Sequence, residues 1–378
     1  MRVPRPRSRL GRAGVLAGAV LGALVVFFLI APYNIAARVP HLPGVAWLLH
    51  TYMENSVRTW SRGTDQPKWV DLDDPALVRL GAGHFENGCA PCHGAPGRPP
   101  NPLTRGMRPT PPPLAGPAED YDARELHWIV WNGLKFTGMP AWSGEGRDDE
   151  PWALAAFLKR YPELDASAYA DLALEPDASR YLTVAQSEGL TELSDRIGSL
   201  TGECARCHGA DGLGRDGTAP KLAGQSREYI EATLSAFADE RRPSGIMGPI
   251  AATLSTVEIE RLAAHYADLP WSGRVEVGGT LSNLASAGAE IAARGTAEIP
   301  SCLSCHGDDL SPPRNPAYPR LSGQEERFLT IWLRLWRDRP FGGTDYAHVM
   351  HEAARWLSDR DISALAAYFS SSEVSRPP

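Results

Sequence analysis

Apolar positions fall along this chain in two ways. Near the start they form one block: Gly14 to Pro32 (GVLAGAVLGALVVFFLIAP) runs nineteen residues without a charge. As a helix at ~1.5 Å per residue it spans roughly 28 Å, close to the ~30 Å apolar thickness of a bilayer. Beyond the block, apolar and polar residues are interleaved at helical spacing. Val45 to Leu49, continuing through Tyr52, Met53, Val57 and Trp60, predicts a helix with two open placements. It either lies on a membrane surface with its tryptophans at headgroup level or packs as a connector on the next domain. Later, a helix with a Leu-Ala-Ala core recurs at Leu154 to Ala156, Leu262 to Ala264 and Leu365 to Ala367. The second and third of these follow Leu254-Ser255 and Leu357-Ser358, where the serine reads as an N-cap.

These recurring helices are the last of four landmarks that repeat in the same order three times. The first is Cys-x-x-Cys-His, at Cys89 to His93, Cys204 to His208 and Cys302 to His306, each followed by glycine. The second is Pro-x-Leu-[Ala/Ser]-Gly, at Pro112 to Gly116, Pro220 to Gly224 and Pro319 to Gly323. The third is a methionine 39 to 46 residues after the histidine: Met139, Met247 and Met350. Repeats two and three share more with each other than with the first. Gln225 to Tyr229 matches Gln324 to Phe328, and each methionine there precedes Leu-Ser by seven residues. The landmarks predict a basic tip and anchor (1–33), a juxtamembrane helix (34–72), and repeats at 73–165, 185–271 and 284–374. Linkers without landmarks fall at 166–184 and 272–283.

Charge sharpens the topology. Arg2, Arg5, Arg7, Arg9 and Arg12 precede the apolar block with no Asp or Glu among them; removing those five positive charges from the formal −7 leaves −12 on the rest of the chain. A basic tip on an acidic body argues against nucleic acid binding and keeps the N-terminus cytoplasmic, with the repeats on the outer face. A cleaved signal peptide competes with the anchor, using Ile35-Ala36-Ala37 as its cleavage site. Its apolar region is ordinarily about 7–15 residues, shorter than this block. No cysteine follows the block closely, which argues against a lipid anchor.

All six cysteines lie in the Cys-x-x-Cys-His segments, the attachment signal for c-type heme. Two thiols form thioethers with the vinyl groups, and the adjacent imidazole binds the iron. The expected thioether residues are therefore Cys89, Cys92, Cys204, Cys207, Cys302 and Cys305, with His93, His208 and His306 as proximal ligands. Zinc would need four ligands per site where each repeat offers three crowded ones, and a thioredoxin-like pair would need a βαβ context. On the distal side Met247 is the one methionine of its repeat. Met139 competes with Met107, which precedes the Pro-x-Leu element and comes too early. Met350 is flanked by His348 and His351, but keeps the seven-residue spacing to Leu-Ser. A thioether there fills the coordination sphere and favours outer-sphere electron transfer. The Pro-x-Leu element is either a plain turn or a support, with the carbonyl of Pro112, Pro220 or Pro319 accepting the second imidazole N–H and the leucine packing on the heme edge.

At these residues the chain resembles class I cytochromes c, over nearly all of its length beyond residue 72. Repeats two and three resemble the cytochrome c4 and c553 group through Cys204 to Gly209, Lys221 to Gln225 and Met247 to Tyr266 with their counterparts. Repeat one, with His84 to Cys89, Pro111 to Leu114 and Thr137 to Trp142, resembles membrane-anchored mono-heme cytochromes of bacterial respiratory chains. The resemblance implies an all-α fold of three tandem domains, each with crossed first and last helices, behind a transmembrane helix. Repeat three departs from the pattern where Asp308 to Pro313 replaces the usual glycine-rich stretch.

The function expected is electron carriage by three covalent heme c groups held in the periplasm by the inner membrane. A quinol-oxidising complex or dehydrogenase would be the donor, and a terminal oxidase or soluble cytochrome the acceptor. The layout also resembles cytochrome subunits of membrane-bound alcohol and gluconate dehydrogenases, so a heme subunit of such a complex is the alternative. A heme enzyme would need a displaceable iron ligand, whereas each repeat offers a methionine.

Overall fold

The computed structural model describes residues 9–37, 39–174, 193–215, 217, 219–271, 282–308 and 311–371. Among these the regular elements are helices, apart from one bridge between Ala95 and Arg98. Helix α1 (Arg9–Ile30) carries the uncharged block with its side chains unburied from Gly11 to Ile30, and is long and apolar enough to cross a membrane. Helix α2 (Pro43–Trp60) begins on a proline at a position where no amide partner is needed. It buries Val57 and packs on the first repeat, while Trp47, Leu48, Leu49 and Tyr52 stay exposed.

The first repeat contains α3 (Pro75–Gly88), α4 (Ala123–Asn132), α5 (Glu150–Arg160) and α6 (Ala166–Ala173). Asp74 caps α3 by accepting from the Ala76 amide, and Asp122 with Glu125 forms a reciprocal capping box on α4. The second repeat contains α7 (Leu193–His208), α8 (Arg227–Ala238) and α9 (Thr256–Asp268). The third contains α10 (Asn283–Arg294), α11 (Glu326–Asp338) and α12 (Asp359–Ser371). The two serines expected as caps do cap. Ser255 and Glu258 exchange side-chain and backbone bonds at α9, and Ser358 and Asp361 do the same at α12.

In each repeat the first helix packs against the closing one: α3 on α5, α7 on α9, α10 on α12. In the first and third repeats the contact is close because a glycine sits at it. A Cβ on Gly81 would overlap the Ala153 carbonyl, and one on Gly288 the Ala364 carbonyl. Both carbonyls belong to the residue just before the Leu-Ala-Ala core, so the two crossings share a register.

The stretch from residue 166, expected from sequence to be linker, is helical as far as Ala173. Asp165 caps α6, which packs on α3 and buries Tyr169 and Ala173 in the first core. It carries no landmark of the repeat, so its two inward residues gave no signal to set against a linker. The remainder of that linker and nearly all of 272–283 lie outside the described residues, as does the tip before Arg9.

Three apolar clusters follow the repeats. The first centres on Phe85, Trp152, Phe157 and Tyr169, the third on Trp336, Phe341, Ile362 and Phe369. Fully burying one such ring is worth roughly 1.5–3 kcal/mol. The second cluster is smaller, with Ile230, Leu262, Ala263 and Tyr266. Much of that repeat's apolar lining faces a cavity of about 710 Å³ instead.

Candidate functional site

Each Cys-x-x-Cys-His segment forms a short helical turn or helix end, with the histidine amide bonded to the carbonyl of the first cysteine at 2.9 Å in repeats one and three. In all three repeats the histidine Nδ1 donates to the expected proline carbonyl: His93 to Pro112 at 2.8 Å, His208 to Pro220 at 2.8 Å, His306 to Pro319 at 2.9 Å. This fixes the tautomer and leaves Nε2 free to bind a metal. The Pro-x-Leu element is thus a support and not a plain turn. Burial lowers the pKa of all three imidazoles, which favours the neutral, ligating form.

None of the six cysteines is in a disulfide. Burial pushes Cys89 up to about 12, and Cys204 and Cys302 up to about 11. The leading cysteine of each pair thus faces the apolar interior, together with Leu114, Leu222 or Leu321 of the Pro-x-Leu element. Among the described residues no cluster of three or more His, Cys, Asp or Glu side chains could hold a bare metal ion.

Met139 packs against the first core beside Cys89, and Met350 against the third beside Cys302. The cavity of about 710 Å³ is lined by both later segments at once: Cys204, Cys207, His208 and Met247 from one, and Cys302, Cys305, His306 and Met350 from the other. In the second and third repeats the thiols, the imidazole and the methionine therefore line one cavity, which fits a covalently held heme; in the first, Cys89 and Met139 both pack against one apolar core. Of the other candidates, His348 and His265 are exposed, the latter on α9. His351 Nδ1 donates to the Trp336 carbonyl at 2.7 Å, and Met107 lies with its sulfur against Gly138, next to Met139.

Two sets of buried polar contacts join the repeats. Between the second and third, Gln225 and Gln324 reach across reciprocally. Gln324 accepts from the Lys221 amide at 3.0 Å and donates to the Lys221 carbonyl at 2.8 Å. Gln225 accepts from the Arg320 amide at 2.9 Å and donates to the Arg320 carbonyl at 3.0 Å. Lys221 and Arg320 each follow the proline that supports a histidine. Sequence carried a signal for this pairing, because glutamine follows the Pro-x-Leu-x-Gly element in repeats two and three, whereas Pro117 stands there in repeat one.

Between the first and second repeats lies a buried carboxylate, Glu150. It receives Trp142 Nε1–H at 2.7 Å, the Gly245 amide at 2.8 Å and the Ser244 hydroxyl at 2.7 Å, and it pairs with Arg147 at 3.0 Å. Arg147 also forks onto both Asp149 oxygens at 2.8 and 2.9 Å. Burial raises the Glu150 pKa, with Arg147 opposing; burial works against the Arg147 charge, but Glu150 and Asp149 outweigh it and hold it protonated. His84, whose ring centroid is 6.5 Å from Trp142, is buried with Nδ1 unpartnered among the described residues. Its pKa is lowered to about 3 by burial and then by Arg147. His84 and Trp142 stood out in the sequence only through the resemblance, and Arg147, Glu150, Ser244 and Gly245 did not, because Ser244 and Gly245 reach Glu150 across about a hundred residues of chain.

The family model described as cytochrome c oxidase, cbb3-type, subunit III matches residues 76–158, and the cytochrome c model matches 199–257. The chain is 36% identical over 172 residues to the thiosulfate dehydrogenase electron acceptor of Stutzerimonas stutzeri, covering 44% of this chain and 77% of that one. It is 35% identical to cytochrome c4 of Thiocapsa roseopersicina, covering 44% and 85%. Among solved structures, cytochrome c4 of Acidithiobacillus ferrooxidans aligns with 30% identity and a TM-score of 0.38, covering 44% of this chain and 98% of that one. A thiosulfate dehydrogenase of Marichromatium purpuratum aligns with 30% identity and a TM-score of 0.39, covering 45% and 36%.

Proposed function

Since the chain belongs to the class I c-type cytochromes, with c4-like domains, and is an electron carrier and not a catalyst, we propose that it carries three covalent heme c groups on one membrane-tethered polypeptide. The observation that carries this reading is the threefold recurrence of one arrangement: a cysteine pair outside any disulfide, and an imidazole whose Nδ1 is spent on a proline carbonyl.

Heme c supplies a one-electron iron couple. Around it the chain's residues hold and insulate. Cys89 and Cys92, Cys204 and Cys207, Cys302 and Cys305 fasten the macrocycle covalently. His93, His208 and His306 would hold the iron through Nε2, with Met139, Met247 and Met350 as the second ligands. A thioether raises the potential relative to a second imidazole and leaves no position for substrate. Leu114, Leu222 and Leu321 keep water from the edge. The three domains begin near residues 73, 185 and 284, the first extended through α6.

Helix α1 is the anchor, with its arginines cytoplasmic and the heme domains in the periplasm at the inner membrane. The acidic body favours donors and acceptors with basic docking patches and a salt-sensitive association. A quinol-oxidising complex or a periplasmic dehydrogenase is the donor, and a terminal oxidase or soluble cytochrome the acceptor. The two relatives named as thiosulfate dehydrogenase electron acceptors favour the dehydrogenase, and with it the second reading, a heme subunit bound to a catalytic partner. An alkaline pyridine assay on membrane-extracted protein should count three heme c per chain, and a potentiometric titration with near-infrared spectra should show methionine–iron bands. A count of one or two sinks the triheme reading. Co-purification of a dehydrogenase at fixed stoichiometry selects the second reading over a free carrier.

A further inference from the structure

The first site touches the second through the segments that carry their ligands, on two sides. A Cβ at Gly83 of α3 would come 3.2 Å from Cys207 Sγ. On the other side Trp142, three residues after Met139, lies directly on Gly245, two residues before Met247, so that a Cβ at Gly245 would overlap the indole. A hydrogen-bond chain runs beside this contact. The Trp142 N–H donates to Glu150, Ser244 donates to the same carboxylate, and the Met247 amide donates to Ser244 Oγ at 3.0 Å.

The first repeat meets the third differently. Arg327 pairs with Asp74, Arg339 donates to the Gly146 carbonyl, and the Arg334 guanidinium lies 5.8 Å from the Trp69 ring centre. Those arginines lie on α11 and the turn after it, outside the Cys-x-x-Cys-His and methionine segments of the third repeat in sequence, and Arg147 lies 5.7 Å from the Trp332 ring centre on the same helix.

Resting on the triheme reading, we infer that electrons pass between the first and third sites by way of the second, and that Trp142, packed on Gly245, is the bridge between the first two. The step moves one electron and no atoms. The first site is oxidised by one electron as the second is reduced by one, and the external one-electron donor and acceptor proposed above close the cycle. The indole is not itself oxidised. It fills the interval between two methionine segments with close-packed atoms, where a smaller side chain would leave a void.

The contact has two sides, so it can be broken from either. Trp142→Leu removes the ring, and Gly245→Ala displaces it with one methyl group; Gly245 is not at a positive φ, so alanine suits the backbone. Flash reduction of the full-length detergent-solubilised protein, followed by transient spectra, reads re-equilibration between the first site and the other two. A Met139→His control assigns the first site's bands. Each variant should slow this phase on the order of tenfold, through the void or displacement it creates at a packed contact. Midpoint potentials and exchange between the second and third sites should stay unchanged. The double variant should be no slower than Trp142→Leu alone, since both remove one contact. Trp142→Phe should recover most of the rate. An unchanged phase, additive slowing in the double variant, or slowing explained wholly by shifted potentials overturns the inference. A pyridine assay on the same samples keeps the two readings apart. Fewer than three hemes in the unaltered protein defeats the triheme reading, whereas three hemes with an unaffected phase defeats the bridge alone. If Trp142→Leu fails to load heme, Gly245→Ala carries the test.

Discussion

At its junction with the first repeat, the second presents Ser244 and Gly245 to a buried carboxylate that is shared with an arginine and an indole. At its junction with the third, Lys221 and Gln225 exchange neutral amide bonds with Gln324 and Arg320, beside a Lys221–Glu325 ion pair at 3.5 Å. The second junction is pseudo-symmetric because repeats two and three share the glutamine. Each bond has an equivalent, and no charge is taken out of water to make the four amide bonds. The first is asymmetric, because repeat one has Pro117 in place of that glutamine, and is held by a buried ion pair. A buried pair is costly to assemble and costlier to half-remove, whereas an amide exchange is neutral throughout. The comparison teaches that one repeat can join similar partners by unlike chemistry, with unlike sensitivity to acid.

Acid should separate the junctions most. His84 has a folded pKa of about 3 against an ordinary 6.5, so between those values the unfolded chain holds a proton the folded one does not. Stability is therefore full above about pH 6.5 and falls toward pH 3, by as much as roughly 5 kcal/mol if the full shift is expressed. Denaturant unfolding from pH 7 to 4 should show this loss, and His84→Phe should flatten it; an unchanged slope would count against the buried neutral histidine. Next in size, Arg147→Met strands Glu150 without its partner and should cost about 3–5 kcal/mol, read as a lowered denaturant midpoint. A loss below about 1 kcal/mol would place Glu150 in contact with water.

Gln324→Leu leaves the Lys221 amide and carbonyl buried without partners, for about 1–3 kcal/mol. Its effect should not add to that of Gln225→Leu if the two act as one unit, which a double-mutant cycle measures. Neither should alter the acid slope, and a slope that moved would tie the two junctions together. The smallest effect serves as a control away from both. Ser358→Ala removes the cap of α12 and should cost about 1 kcal/mol by thermal or denaturant unfolding, with both junctions untouched.

What the sequence by itself determined is what a short window of chain contains. Cys-x-x-Cys-His sets two thiols and an imidazole on one turn, the proline carbonyl lies 12 to 19 residues downstream of its histidine, and Ser255 sits three residues before the glutamate it bonds. Helix periodicity is likewise local, so the closing helices and the repeats were legible, whereas the crossing of first and last helices was implied by the resemblance to class I cytochromes c. Helix α6 was not, since two buried residues on eight give no pattern to set against a linker. What only the tertiary structure decided spans about a hundred residues of chain: Trp142 on Gly245, Ser244 on Glu150, and each glutamine on the far repeat's backbone. Those pairs follow from how whole domains dock, and docking is settled by the summed shape and charge of surfaces that no single stretch of sequence encodes.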